Sequence, residues 1–164
     1  GKEIRQWILH GGKECKIGQK AELLLFLADR AQHLEEVILP ALEEGKIVLC
    51  DRFNDSTIAY QGHGRNLGVN YVENLCNLVC QSLVPNKTFF LRVDPEIGIS
   101  RARARNPEQG VDRMESLDLD FHRRVLEGFD MLSKRNNERY CTIDASSSQE
   151  KVLEEVLRKI KSLF

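Results

Sequence analysis

Apolar and polar positions follow two different periods along this chain, and the switches between them mark its elements. Ile4, Trp7, Ile8 and Leu9 predict a short amphipathic helix over Lys2 to His10, ended by Gly11 and Gly12. From Gln19 to about Glu44, Leu23, Leu24, Phe26, Leu27, Leu34, Val37 and Ile38 recur at helical spacing. That pattern predicts one long helix, with Pro40 kinking or restarting it and Gly45 as its C-terminal cap. Ile47 to Cys50 is an unbroken apolar run that stops at Asp51 and Arg52, the pattern of a strand buried on both faces. Ser56 to Gly62 reads as a helical segment, followed by a glycine-punctuated turn to Arg65 and an apolar helix from Val69 to Leu83. Thr88 to Asp94 predicts a second strand, and Pro95 opens a helix through Arg101, Arg103 and Arg105. A charged amphipathic helix (Leu117 to Arg135), a third strand (Tyr140 to Asp144) and a last helix (Gln149 to Leu163) complete the chain. Strands alternating with helices predict an α/β fold with a parallel sheet. With no repeat, low-complexity tract or linker, residues 1–164 read as a single domain.

Bulk properties narrow the classes. With 164 residues and 41% hydrophobic content, the chain is large enough for one real core. A formal net charge of -1 gives no field that would gather nucleic acid or an anionic membrane. The five cysteines have no metal-ligand spacing; Cys50 and Cys141 lie in strand-like runs and Cys76 and Cys80 on an apolar helix face. Buried reduced thiols, and hence a cytoplasmic setting, are the expectation. No signal peptide or membrane-length apolar span is visible, so no membrane partner is expected. The chain contains no G-x-x-x-x-G-K-[ST] loop: Gly1-Lys2 has no strand before it and Glu3 after it.

The chemistry concentrates after Cys50. An acid beside an arginine at a strand end sets a metal-binding oxygen next to a phosphate-binding fork, at the end of the sheet where α/β folds bind ligands. The plain alternative is a surface ion pair of little energetic weight. Ser56, Thr57, Tyr60 and Gln61 follow at helical spacing, where Asp55 or Ser56 also suits a helix cap. Phe26 and Arg30 stand one turn apart on one helix face, although Phe26 in isolation reads as core. Arg101 and Arg105 are spaced to share a face and Arg103 to turn away from it; a solvated stripe partnered by Glu96 and Glu108 is the plain reading.

The pattern D-R-F-x-x-S-T-x-A-Y-Q-G from Asp51 to Gly62 resembles the thymidylate kinases, relatives of the other nucleoside monophosphate kinases. The resemblance extends to Leu24–Arg30, similar to the family's base-binding helix, and to the R-A-R-A-R run, similar to its lid. It implies a three-layer P-loop fold, a parallel sheet flanked by helices, whose first strand, phosphate loop and second strand are absent from this sequence. The chain is therefore expected to be an N-terminally incomplete piece. The implied reaction is phosphoryl transfer from ATP to thymidine monophosphate, with Mg²⁺, by a cytoplasmic homodimer. The resemblance gives Asp51 to the metal, Arg52 to the acceptor phosphate, Phe26 to stacking on the base and Arg30 to a ring carbonyl oxygen. Thr57 and Gln61 approach the base edge and Tyr60 lies against the sugar. Arg105, in a lid around 101–114, is the leading catalytic arginine, while Arg101, Asp144 and Ala145 fall at the adenine of ATP. His63, Arg65, Arg103 and Arg113 receive no firm role, although Arg65 could help to grip phosphate. A kinase of another nucleotide or nucleoside, or a non-catalytic nucleotide-binding or dimerisation module, are the alternatives.

Overall fold

The computed structural model describes residues 4, 17–105, 114 and 117–163, with Arg105 in backbone only. The helix expected over 2–10 (apart from Ile4), Cys15, the loop 106–111 and Arg113 therefore lie outside the described residues. Helix α1 (Gln19–His33) begins after Gly18 and buries Leu23 and Leu27. The expected long helix is interrupted. A π-helical turn, Leu34–Ile38, in which the Leu39 amide bonds the Leu34 carbonyl, leads into α2 (Leu39–Glu43). Pro40 supplies the reason. It has no amide to offer the Glu36 carbonyl and its ring crowds that oxygen, so a wider turn absorbs the mismatch. Gly45 at φ 74° closes the helix, and the Lys46 amide returns to the Ala41 carbonyl at 2.9 Å.

Ile47–Cys50 departs from expectation. No strand forms there, and Ile47 and Leu49 are 73% and 89% exposed. A strand exists only through a ladder partner, and no described segment pairs with this one. Cys50 is accordingly exposed, whereas Cys76 and Cys80 are buried and Cys141 is partly so. The sheet is two-stranded among the described residues: β1 (Thr88–Arg92) and β2 (Tyr140–Asp144) run parallel, Thr88 opposite Tyr140 and Arg92 opposite Asp144.

Helix α3 (Asn54–Thr57) starts after Phe53, in extended backbone and with no side-chain cap, so neither Asp55 nor Ser56 caps it. It widens into a second π-helical segment, Ile58–Gly64, followed by α4 (Val69–Val79). Between the strands lie α5 (Pro95–Arg105) and α6 (Leu119–Arg135); α7 (Gln149–Lys161) follows β2. Asp118 caps α6 by accepting the Phe121 amide at 2.6 Å. Glu96 pairs with Arg123 of α6 at 2.9 Å.

Among the described residues two clusters form the core; Leu34, Ile38 and Cys80 make the smaller one, and the larger joins α1, the π-helical segment Ile58–Gly64, α4, α6 and the sheet. Leu23 and Leu27 of α1, Ile58 and Ala59, Val72 and Cys76 of α4, and Phe121, Val125 and Leu132 of α6 pack with Phe90 and Tyr140 of the sheet. The π-helical segment lies against α6 through two glycines: a Cβ at Gly64 would meet Val125, and one at Gly128 would meet Ala59 and His63. A second tie is ionic. Arg139 grips both carboxylate oxygens of Asp55 at 2.7 Å and the Thr88 hydroxyl at 2.7 Å. The bidentate pair, mostly buried, anchors α3 to the start of both strands and so sets where the residues after Arg52 sit.

Candidate active site

Arg52 holds a left-handed backbone, φ 67°, which an arginine adopts only when its surroundings hold it there. Two donors hold its carbonyl, Arg30 Nη1 at 3.2 Å and the Cys50 thiol at 3.3 Å. Desolvation is the largest cause holding the Cys50 thiol above its usual range, although the residue keeps substantial exposure; Arg30 opposes it and Asp51 adds to it. The Arg52 guanidinium lies over the Tyr60 ring, 5.1 Å from its centroid, and that of Arg30 over Phe53 at 4.8 Å. Tyr60 is itself braced edge-on by Phe121 at 6.0 Å and Phe129 at 6.3 Å. Arg30, Arg52 and Tyr60 thus form one connected cluster, with the exposed carboxylate of Asp51 beside it and half-buried Phe26 one turn before Arg30.

Beneath that cluster lies a network that no periodicity announces. Glu22, 0% exposed, stands one turn before Phe26 on α1. Its Oε1 accepts from Gln61 Nε2 at 3.2 Å, and Arg65 donates to both carboxylate oxygens, through Nε at 3.2 Å and Nη2 at 3.1 Å. Arg65 also covers the Phe121 ring at 5.1 Å. Arg65, given no firm role by the sequence, is thus the partner of Glu22, and a buried carboxylate with no cation beside it is far costlier than a paired one. Thr57 and Gln61, 5% and 2% exposed, come from consecutive turns of the α3–π stretch. A π-helical turn makes this arrangement: the Arg65 amide bonds the Tyr60 carbonyl at 2.8 Å, swinging Tyr60 and Gln61 out of α-helical register. The one available signal for Glu22 was a carboxylate beside the apolar stripe of α1.

A second group gathers at the end of β2. Arg101 donates to the carbonyls of Ala145 at 2.6 Å, Ser146 at 2.7 Å and Ser147 at 3.3 Å, tying α5 to the turn. Asp144 Oδ1 accepts the Ser146 hydroxyl at 2.6 Å and its amide at 2.9 Å, which hold its carboxyl below the usual range. Arg101, Asp144 and Ala145 therefore share one place. Arg103 is exposed; the Arg105 side chain and Arg113 lie outside the described residues. No described cluster of three His, Cys, Asp or Glu side chains forms a metal cage, and no described helix is long and apolar enough to cross a membrane.

Comparison with known proteins bears on this geometry. The family model described as thymidylate kinase matches residues 1–156. A thymidylate kinase of Protochlamydia amoebophila (strain UWE25) is 50% identical over 161 residues, covering 96% of this chain and 72% of that protein. Another, of Halothermothrix orenii (strain H 168 / OCM 544 / DSM 9562), is 44% identical over 161 residues, covering 98% of this chain and 76% of the relative. The crystal structure of thymidylate kinase from Ehrlichia chaffeensis superposes with a TM-score of 0.73 at 30% identity, covering 98% of this chain and 72% of that one. The sequence match, the shared α/β fold and the cluster after Arg52 agree, and the chain belongs to the thymidylate kinase family.

Proposed function

We infer that the protein transfers the γ-phosphoryl group of ATP to thymidine monophosphate, giving thymidine diphosphate. The observation that carries the acceptor half is the Arg30–Arg52 hydrogen bond, which ties the base-reading helix α1 to the backbone of the phosphate-gripping arginine. Phe26 offers a flat apolar face to the pyrimidine and Arg30 a donor to a ring oxygen. Thr57 and Gln61 read the base edge, and Tyr60 packs against the sugar. Arg52 grips the acceptor phosphate. Its strained backbone is held before substrate arrives, so orientation is settled in advance. Arg101, Asp144 and Ala145 border the adenine of ATP, and Arg105 acts from a lid around 101–114 on charge developing in the transfer.

One exposed carboxylate suits Mg²⁺, which takes one or two carboxylates and completes its shell with phosphate oxygens and water. Asp51 would hold it, and the ion when bound offsets phosphate charge. The working form is a cytoplasmic homodimer, which sedimentation at tens of micromolar reads directly.

Calorimetric titration with a panel of nucleoside monophosphates tests the acceptor site: thymidine monophosphate binds well and purine monophosphates poorly, and equal affinities would sink the assignment. Arg105→Ala lowers kcat by about 10² while leaving acceptor affinity nearly intact. Arg52→Ala weakens both, and Arg103→Ala is mild. A mild Arg105→Ala beside a dead Arg103→Ala would show the lid register to be wrong.

A further inference from the structure

We propose that Glu22 is a positioning residue that fixes which end of the Gln61 amide faces the base, and through it sets selection between pyrimidines. The inference rests on the reading above, that a pyrimidine edge lies against Gln61. A glutamine amide offers a donor at one end and an acceptor at the other, and in isolation either end can point either way. A carboxylate only accepts. Glu22 Oε1 therefore binds the NH₂ end of Gln61, at 3.2 Å, since the flipped amide would set oxygen against oxygen. Arg65, bonded to both Glu22 oxygens, holds the carboxylate in place, and the group is fully buried, so water cannot substitute for any of these partners. Gln61 is itself 2% exposed, so no bulk water stands by to pair with a flipped amide.

The consequence is chemical. With its nitrogen committed to Glu22, Gln61 offers the ring its carbonyl oxygen. Thymine and uracil carry N–H at ring position 3 and pair with that oxygen. Cytosine has a lone pair there and meets it acceptor to acceptor. Glu22 acts through Gln61, its own side chain being 0% exposed. It stands one turn before Phe26 and two before Arg30 on α1, so the helix that would stack and tag the base also carries the group that orients its edge reader.

The test is Glu22→Gln in the full-length enzyme, which keeps the shape but lets Gln61 settle either way up. Because this leaves Arg65 without its carboxylate, the double variant Glu22→Gln/Arg65→Met removes the buried charge as well, and both are measured. Binding constants for the monophosphates of thymidine, deoxyuridine and deoxycytidine are read by calorimetry. In wild type the two N–H rings bind well ahead of cytosine. In the variants that preference falls by about tenfold, the scale of one mispaired buried hydrogen bond, while thymidine and deoxyuridine monophosphate move together. Arg30 remains, so some preference persists. If both variants weaken all three nucleotides in parallel, Glu22 is structural only and the proposal fails, with the base site left standing. If wild type itself does not distinguish thymidine from deoxycytidine monophosphate, the base-site reading fails and this proposal with it.

Discussion

Gly64→Ala sets two opposed effects against each other at the seam between the site and its support. Alanine in helical backbone is favoured over glycine by about 0.5–1 kcal/mol. Against that, the new Cβ would lie 2.7 Å from Val125 Cγ2 and 2.9 Å from Phe121 Cε2. These gaps are roughly 1 Å inside ordinary carbon contact. Neither neighbour has an easy retreat: Val125 is 5% and Phe121 3% exposed, and the Phe121 ring is held between Tyr60 and Arg65. With two such contacts and no retreat, overpacking costs about 2–3 kcal/mol, the upper part of its usual range, so it wins by about 1–2.5 kcal/mol. For a domain of this size that lowers Tm by about 2–10 °C. Calorimetry on purified wild type and variant reads the shift directly. The same displacement moves Tyr60 and the Glu22–Arg65–Gln61 network, so affinity for thymidine monophosphate falls too. Gly98→Ala is the control of opposite sign: among the described residues its Cβ would meet only Val93 Cγ1, at 3.6 Å, so the helix gain stands unopposed. A Gly64→Ala protein melting at or above wild type would refute the close approach of α6 to the π-helical segment.

Two other perturbations probe the frame. Arg139→Met strands the mostly buried Asp55 carboxylate and lowers stability by about 3 kcal/mol, whereas adding Asp55→Asn recovers part of it; chemical denaturation yielding equal losses for both would show that the pair does not anchor α3. Burial first, and neighbouring Cys80 second, push the Cys76 thiol from its usual 9.0 up to about 12. The folded state therefore keeps a proton that the unfolded state releases, so this contribution to stability is complete below about pH 9 and falls as pH rises toward about 12. Urea midpoints measured from pH 8 to 10.5 should decline less steeply in Cys76→Ala; identical slopes would place the alkaline sensitivity elsewhere.

What local pattern determines is visible in α6 and β2. Polar caps and a clean amphipathic stripe place α6 within two residues of its expected start, and Tyr140–Asp144 is the strand anticipated. The cluster around Arg52 was likewise legible, since its members lie within a few turns of one another or carry a family motif. The apolar run Ile47–Cys50 misleads for the complementary reason. Composition reports readiness to be a strand, but a ladder needs a neighbour, and no described segment pairs with it. The π-helical turns are a further step removed: Pro40 hints at the first, while the second depends on two glycines letting α6 approach. The buried ion pairs lay furthest from view. Glu22 finds Gln61 39 residues away and Arg65 43 away, and Asp55 finds Arg139 84 away. An isolated acid on a helix reads as solvated. Only the packing that strips its water makes a distant guanidinium or amide its obligatory partner, and with that decides which atoms the site presents.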